Sequence, residues 1–269
     1  MRCAVIGSPV AHSLSPALHR DGYRRHGLEW RYEAIELADD EVSDFVAACA
    51  SGGDWAGLSV TAPHKQRAAT LGDPDHLVRL LQVANTITFH PEAKVHNTDV
   101  SGFLRAWHHH GLKPPKRAVI LGNGATARSV LVALAGLNVT AVTVLARRAS
   151  SELVQLGATL GVTVTCDELD ADPAEVSVVV NTIPAAATEP IALRLVAQAK
   201  VVFDVLYDPW PTPLASAAQQ LGRPCLSGID LLAGQAVDQF QLFTGLPLAF
   251  ADARRSAVAE LARRGNVTQ

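Results

Sequence analysis

Val119-Ile120-Leu121-Gly122-Asn123-Gly124-Ala125-Thr126-Ala127-Arg128 reads as a strand, a tight turn and the start of a helix. The stretch fits G-x-G-x-x-G/A, with Ala127 in the third small position. Each small residue has a physical task. Gly122 permits the sharp turn out of the strand, and Gly124 omits a side chain so that a pyrophosphate can approach the backbone. The helix N-terminus then presents unpaired N–H groups and the positive end of its dipole to the anion. Ordinary Gly-rich turns also produce this pattern, so the flanks decide the reading. An apolar strand precedes it, a helix over 125–137 follows, and the next strand (142–145) ends at the spacing such βαβ units use.

That next strand ends in Val144-Leu145-Ala146-Arg147-Arg148. An Asp or Glu at this point binds the ribose 2′-hydroxyl of NAD. Two arginines stand here instead. Their guanidinium forks suit a 2′-phosphate, and no carboxylate is left to repel it. NADP is therefore expected over NAD, and the bland alternative is a solvated basic strand end.

Outward from this unit, strand and helix patterns alternate, which predicts an α/β fold. Towards the N-terminus, strands are expected at 3–6, 30–37 and 55–60. Ser15 reads as an N-cap with Pro16 in the first helical turn. A helix follows over 40–51, stopped by Gly52-Gly53, and Pro63 is placed to start a short helix. A hairpin joins 85–89 to 95–97. A linking helix covers 101–110, with Gly111 as its C-cap. Lys113-Pro114-Pro115-Lys116 is the clearest boundary signal. Beyond the glycine-rich turn, a helix is expected at 150–160 and Val-rich strands at 176–180 and 201–205, of the unbroken kind found in a parallel sheet covered on both faces. Helices at 231–243 and 252–263 close the chain. The expectation is two domains: residues 1–100, with the C-terminal helices of 236–269 packed back on them, and a Rossmann-type parallel-sheet nucleotide domain over 101–235.

Composition narrows the function classes. Of 269 residues, 48% are hydrophobic and 18% charged, enough for a real core. The net charge of −3 comes from 23 basic and 26 acidic side chains, which argues against a nucleic-acid footprint. No apolar run approaches the ~20 residues that span a bilayer. Residues 1–7 are too short for a signal-peptide core, and a first strand is the better reading. The four cysteines stand singly, as expected of free thiols in a reducing, cytoplasmic compartment.

Several short motifs carry little alone. Ser13-Leu14-Ser15-Pro16 places two hydroxyls beside a helix N-terminus, a plausible carboxylate clamp or simply a cap. Lys65, in Ser59-Val60-Thr61-Ala62-Pro63-His64-Lys65, reads alone as a solvated lysine. Asn85 in Ala84-Asn85-Thr86 and Asp99 in Asn97-Thr98-Asp99 read as turn or cap residues. Taken together in order, with Gly122–Arg128, Asn181-Thr182-Ile183-Pro184, Asp204-Val205-Leu206-Tyr207-Asp208-Pro209, Thr212-Pro213-Leu214 and Gly228–Gln235, they resemble the shikimate dehydrogenase family from residue 3 to about 245.

The resemblance implies a substrate-binding N-terminal α/β domain, an NADP-binding second domain, and final helices that return to the first. It implies that Ser13 and Ser15 bind the substrate carboxylate, and that Thr61, Asn85, Asp99 and Gln235 hold ring hydroxyls, with Tyr207 at the closing edge of the cleft. Lys65 and Asp99 are the implied catalytic pair at the hydroxyl being oxidised. Gly122, Asn123, Gly124, Ala125, Thr126, Ala146, Arg147, Arg148, Thr182, Val205 and Gly228 are the implied cofactor residues. Hinges near 100 and 230 and a monomer or homodimer follow as further expectations.

The chain departs from the family pattern at Ser59, where Asn is usual, at Ala125 and Thr126 in the glycine loop, and at Leu231 or Leu232, where Met is usual. Ala146 and Arg148 replace the Asn and Thr that usually flank Arg147. His108-His109-His110 reads as a helix end rather than a metal site, because consecutive helical residues point in different directions. His64, His12 and His19 receive no role. Three other readings stay open: a quinate/shikimate dehydrogenase using NAD, against which Ser15 and the arginines argue; a dehydrogenase of a folate or amino analogue; and a catalytically silent shikimate-sensing protein.

Overall fold

The computed structural model describes residues 1–265. The last four residues of the expected 236–269 segment lie outside that range. In chain order the elements are β1 (Arg2–Gly7), α1 (Ser15–Arg25), β2 (Arg31–Glu36), α2 (Val42–Gly52), β3 (Trp55–Val60), α3 (Lys65–Ala68), β4 (Asp73–Pro74), α4 (His76–Leu81), β5 (Thr86–Thr88), β6 (Lys94–His96) and α5 (Asp99–His109). There follow β7 (Arg117–Leu121), α6 (Ala125–Gly136), β8 (Ala141–Leu145), α7 (Ser151–Leu160), β9 (Thr163–Asp167), β10 (Val176–Asn181), α8 (Ala185–Thr188), α9 (Ala192–Ala197), β11 (Ala199–Asp204), α10 (Pro213–Gln220), β12 (Cys225–Leu226), α11 (Gly228–Thr244) and α12 (Phe250–Arg263).

The chain is an α/β protein that divides into two compact units, Met1–Gly102 with Leu232–Arg263, and Phe103–Leu231. Leu232–Gln235, which the sequence reading assigned to the second domain, lie in the first unit. This groups Gln235 with Asn85 and Asp99.

The first unit carries a mixed sheet in the order β2-β1-β3-β5-β6-β4. β1 pairs in parallel with β2 and β3, while β5 runs antiparallel to both its neighbours, β3 and β6. Every residue of β3 is buried, as its apolar run requires. β2 lies at the sheet edge and alternates, turning Tyr32 inward. The core joins Ile6, Leu58, Val60 and Ile87 of the sheet to Val42, Val46 and Cys49 of α2.

The second unit is a parallel sheet in the order β12-β11-β10-β7-β8-β9. Numbered within the unit, this is the 3-2-1-4-5-6 order of a Rossmann fold, in which ligands bind where the order reverses, at the carboxyl ends of the strands. The reversal lies between β7 and β10. Val119, Leu121, Val179 and Val202 pack there with Leu195 and Leu214 from the helices.

One local expectation is corrected. Ser15 is the first residue of α1 rather than its N-cap, which is Leu14 and makes no side-chain cap bond. Ser13 Oγ instead accepts the Ser15 N–H at 3.3 Å. Among the described residues, no helix is long and apolar enough to cross a membrane. Cys3 and Cys49 are buried, Cys166 and Cys225 half-buried, and all are free thiols.

Candidate functional site

In the first unit the loops leaving β1, β3 and β6 hold the polar residues. β3 ends at Val60, and a turn from Thr61 to His64 leads into α3, which Lys65 opens. The turn is pinned by His64, whose fully buried ring sets Nε2 at 2.9 Å from the Leu37 carbonyl and Nδ1 at 3.3 Å from Asp39 Oδ1. Sequence reasoning gave His64 no role, yet it anchors the segment that presents Lys65. Gly7, at the end of β1, makes room for Thr61: a Cβ at Gly7 would lie 2.4 Å from Thr61 Cγ2.

Lys65 Nζ lies 2.5 Å from Asp99 Oδ2, with the two side chains 12% and 3% exposed. Asp99 opens α5 and its N–H donates to Asn97 Oδ1 at 3.1 Å. Its other oxygen, Oδ1, accepts from Asn85 Nδ2 at 2.9 Å. Asn85 Nδ2 also reaches Gln235 Oε1, on α11, at 2.6 Å. The Asn85 carbonyl oxygen Oδ1 accepts the Thr98 N–H at 2.8 Å. Lys65, Asn85, Asp99 and Gln235 thus form one hydrogen-bonded cluster, built from four separate segments. Ser13 and Ser15 are buried at the start of α1. Such a cluster can bind hydroxyls through its amides and carboxylate, and can hold or release a proton at Nζ beside an oxygen.

Sequence reasoning missed a buried layer behind this cluster. The Tyr32 hydroxyl donates to Ser59 Oγ at 2.6 Å, Ser59 donates to Gln239 Oε1 at 2.9 Å, and Gln239 Nε2 donates to Thr86 Oγ1 at 3.0 Å. One signal was available. Gln239 lies four residues after Gln235 on a helix, so the two share a face.

In the second unit the glycine loop leaves β7 as expected. Gly122 has φ +98°, and a Cβ there would lie 2.6 Å from Ile183 Cγ2 and 2.8 Å from Thr182 Oγ1. Gly124 is the N-cap of α6, and a Cβ there would meet nothing within 4 Å. A cavity of about 800 Å³ opens at the point where the strand order reverses. Its walls include Gly122, Asn123, Gly124, Ala146, Arg147, Arg148 and Thr182. Asn123 Nδ2 donates to the Arg148 carbonyl at 3.0 Å, tying the loop to the end of β8. Thr182 Oγ1 donates to the Leu121 carbonyl at 2.6 Å.

Of the remaining expected cofactor residues, Ala125 and Thr126 open α6, while Val205 and Gly228 lie together elsewhere in the unit. A Cβ at Gly228 would sit 2.2 Å from the Val205 carbonyl oxygen. Beside them the buried Asp204 binds Asn181, Thr212 and the Leu206 N–H, and burial raises its carboxyl above the ordinary value. Tyr207 follows β11 in this same unit. His110, at the end of α5, pairs with Asp230 at 3.1 Å.

This geometry has relatives. A family model described as the shikimate dehydrogenase substrate binding domain matches residues 5–87. A curated protein of Acidiphilium cryptum (strain JF-5), named shikimate dehydrogenase (NADP(+)), is 36% identical over 263 residues, covering 95% of this chain and 94% of that protein. Among solved structures, the Mycobacterium tuberculosis shikimate dehydrogenase is 37% identical with a TM-score of 0.87, over 96% of this chain and 99% of that one. The Thermus thermophilus shikimate 5-dehydrogenase, in complex with NADP(H) and shikimate, is 26% identical with a TM-score of 0.82, over 96% and 99%.

Proposed function

The chain belongs to the shikimate dehydrogenase family, and from that membership we propose that it is an NADP-dependent oxidoreductase interconverting shikimate and 3-dehydroshikimate. The observation that carries the reading is the Lys65–Asp99–Asn85–Gln235 cluster, a half-buried cation and a buried carboxylate among hydroxyl-binding amides.

Shikimate is a ring carrying a carboxylate and several hydroxyls. Ser13 and Ser15, beside the N-terminal N–H groups of α1, take the carboxylate. Thr61, Asn85, Asp99 and Gln235 take the hydroxyls. Lys65 and Asp99 flank the hydroxyl that is oxidised. When hydride leaves the carbon that bears this hydroxyl, the hydroxyl proton passes to Nζ of Lys65, held beside Asp99, and the positive charge that forms there stabilises the negative charge developing on the oxygen. In the reductive direction Nζ returns the proton to the same oxygen.

The second unit fits the cofactor. Gly124 leaves open space where a side chain would fill the loop, α6 offers its N-terminus, and Arg147 and Arg148 line the same cavity. NADP, when bound, supplies hydride transfer, a chemistry no side chain can provide. We assign Arg147 and Arg148 to its 2′-phosphate. The free thiols and the low net charge support a cytoplasmic protein that does not bind nucleic acid, and we take it to act as a monomer or homodimer.

The test is turnover. Shikimate with NADP yields reduced nicotinamide and 3-dehydroshikimate. Saturable shikimate binding without any product would overturn the reading in favour of a sensor.

A further inference from the structure

Behind the cluster, the first unit carries a line of buried hydrogen bonds whose direction is forced. Tyr32, Ser59, Thr86, Asn85 and Gln239 are all nearly or fully buried, so each polar hydrogen needs an acceptor. Gln239 spends both hydrogens of Nε2, on the Asn85 backbone carbonyl at 3.1 Å and on Thr86 Oγ1 at 3.0 Å. Turning this amide over would set two oxygens against each other at Asn85. Its orientation therefore follows from its surroundings. Because Thr86 Oγ1 accepts from Gln239, its own hydrogen goes to Asn85 Oδ1 at 3.1 Å. With the Thr98 N–H on the same oxygen, Asn85 turns its NH₂ group towards Thr98 Oγ1, Asp99 and Gln235. Asp99 Oδ1 is then held by Asn85, and Oδ2 is left for Lys65.

At the far end, the Tyr32 phenol donates to Ser59, and Ser59 to Gln239 Oε1. Burial raises the phenol well above its ordinary value, against which hydrogen bonds to Ser59 and Ser15 act. Tyr32 therefore adjoins the proposed carboxylate clamp, while Gln239 adjoins the proposed hydroxyl site. On the other face of the ring, His19 stacks on Tyr32 with centroids 4.3 Å apart and planes 12° from parallel.

Resting on the functional reading above, we infer that Gln239 is a positioning residue for the reaction: with Tyr32 and Ser59 it reinforces, through Thr86, the amide orientation that the Thr98 N–H gives Asn85, and through Asn85 the carboxylate that orients Lys65. It touches neither substrate nor cofactor. Its effect should appear in kcat, because a misplaced proton-transfer group costs rate while most ground-state contacts persist.

The experiment compares the wild type with Gln239→Met, Tyr32→Phe and the double variant. It measures kcat, KM for shikimate and NADP, and thermal stability. Gln239→Met should lower kcat by roughly 10- to 100-fold. Tyr32→Phe removes one uncharged donor and should lower it by roughly 2- to 10-fold. KM for NADP should stay within about twofold, because the cofactor residues lie in the other unit. The double variant should match Gln239→Met alone, since both changes interrupt one line of bonds.

Wild-type kcat in the single variants would overturn the inference, and so would losses that multiply in the double variant. Lower melting temperatures with unchanged kcat would reduce Gln239 to a packing role and overturn it as well. If Gln239→Met does not fold, Tyr32→Phe with Ser59→Ala carries the same comparison. A wild type that does not oxidise shikimate overturns the functional reading and the inference together; an active wild type with unaffected variants overturns the inference alone.

Discussion

Lys65 Nζ and Asp99 Oδ2 lie 2.5 Å apart, although 34 positions separate the two residues in sequence. The carboxylate does not depend on the lysine alone. It opens α5, where the helix dipole favours negative charge, and Asn85 holds its other oxygen. Asp99 thus has hydrogen-bond partners in Asn85 and Asn97 besides the lysine.

Lys65→Ala is therefore expected to fold, with a cost in stability from the newly unpaired Asp99. Its kcat should fall by ~10²–10⁴, the usual worth of positioned acid–base help. Steady-state kinetics together with a melting curve check both halves, and near-normal turnover would remove Lys65 from the chemistry.

The two loop glycines should fail differently. Gly122 has φ +98° and no room for a methyl, so Gly122→Ala should destabilise the protein by about 1–3 kcal/mol. Gly124→Ala meets nothing in the protein. It should keep the wild-type melting temperature and lose NADP affinity, because the methyl occupies the anion's approach. Equal NADP binding by Gly124→Ala and wild type, measured by titration, would contradict the assignment.

Arg147 and Arg148 line the cavity, and Arg147 also lines an adjoining hollow whose wall carries Glu168 and Asp170. Replacing either with Ala should raise KM for NADP roughly 10-fold, as expected for loss of charge-assisted hydrogen bonds. KM for NAD should scarcely move, and added salt should weaken NADP binding to wild type more than to the variants. A parallel rise for both cofactors would show that these arginines do not read the 2′-phosphate.

His19 gives the fold an acid sensitivity. The ring is fully buried, and burial lowers its pKa from 6.5 to about 3, a shift the neighbouring Gln239 opposes without reversing. Between those values the unfolded chain binds a proton that the folded chain refuses, so this contribution is complete above 6.5 and is lost as pH falls towards about 3. His19→Phe keeps an aromatic ring against Tyr32 and removes the titration. Its melting temperature should fall less than that of wild type between neutral pH and about 4. Identical slopes would show that His19 does not contribute.

Much of the fold was legible because strong local signals agreed with the tertiary structure. β3 has the expected limits, 55–60, since an unbroken apolar run bounded by polar turns admits little else. β9 was not foreseen. Its exposed–intermediate alternation, in Thr163–Asp167, carries little hydrophobic signal at the edge of a parallel sheet. The short helices α8, α9 and α10 were also unmarked, because four, six and eight residues give too few turns for a periodic pattern to show.

The site divides in the same way. Gly122 and Gly124 announce themselves because backbone geometry demands glycine. Lys65, Asn85 and Asp99 are ordinary residues whose meaning comes from proximity, and only the family resemblance marked them in advance. Tyr32 and Gln239 had no motif at all, and Thr86 stood in one without a role of its own, since long-range pairing of β3 with β5 and the packing of α11 bring Thr86 and Gln239 together.

The most direct measurement crosses shikimate and quinate with NADP and NAD, following nicotinamide reduction with the purified protein. The account predicts rapid turnover with shikimate and NADP, and far slower rates in the other three pairings. Preference for quinate or NAD would contradict the roles given to Ser15 or to Arg147 and Arg148, and absence of turnover in all four would contradict the assignment of an enzyme.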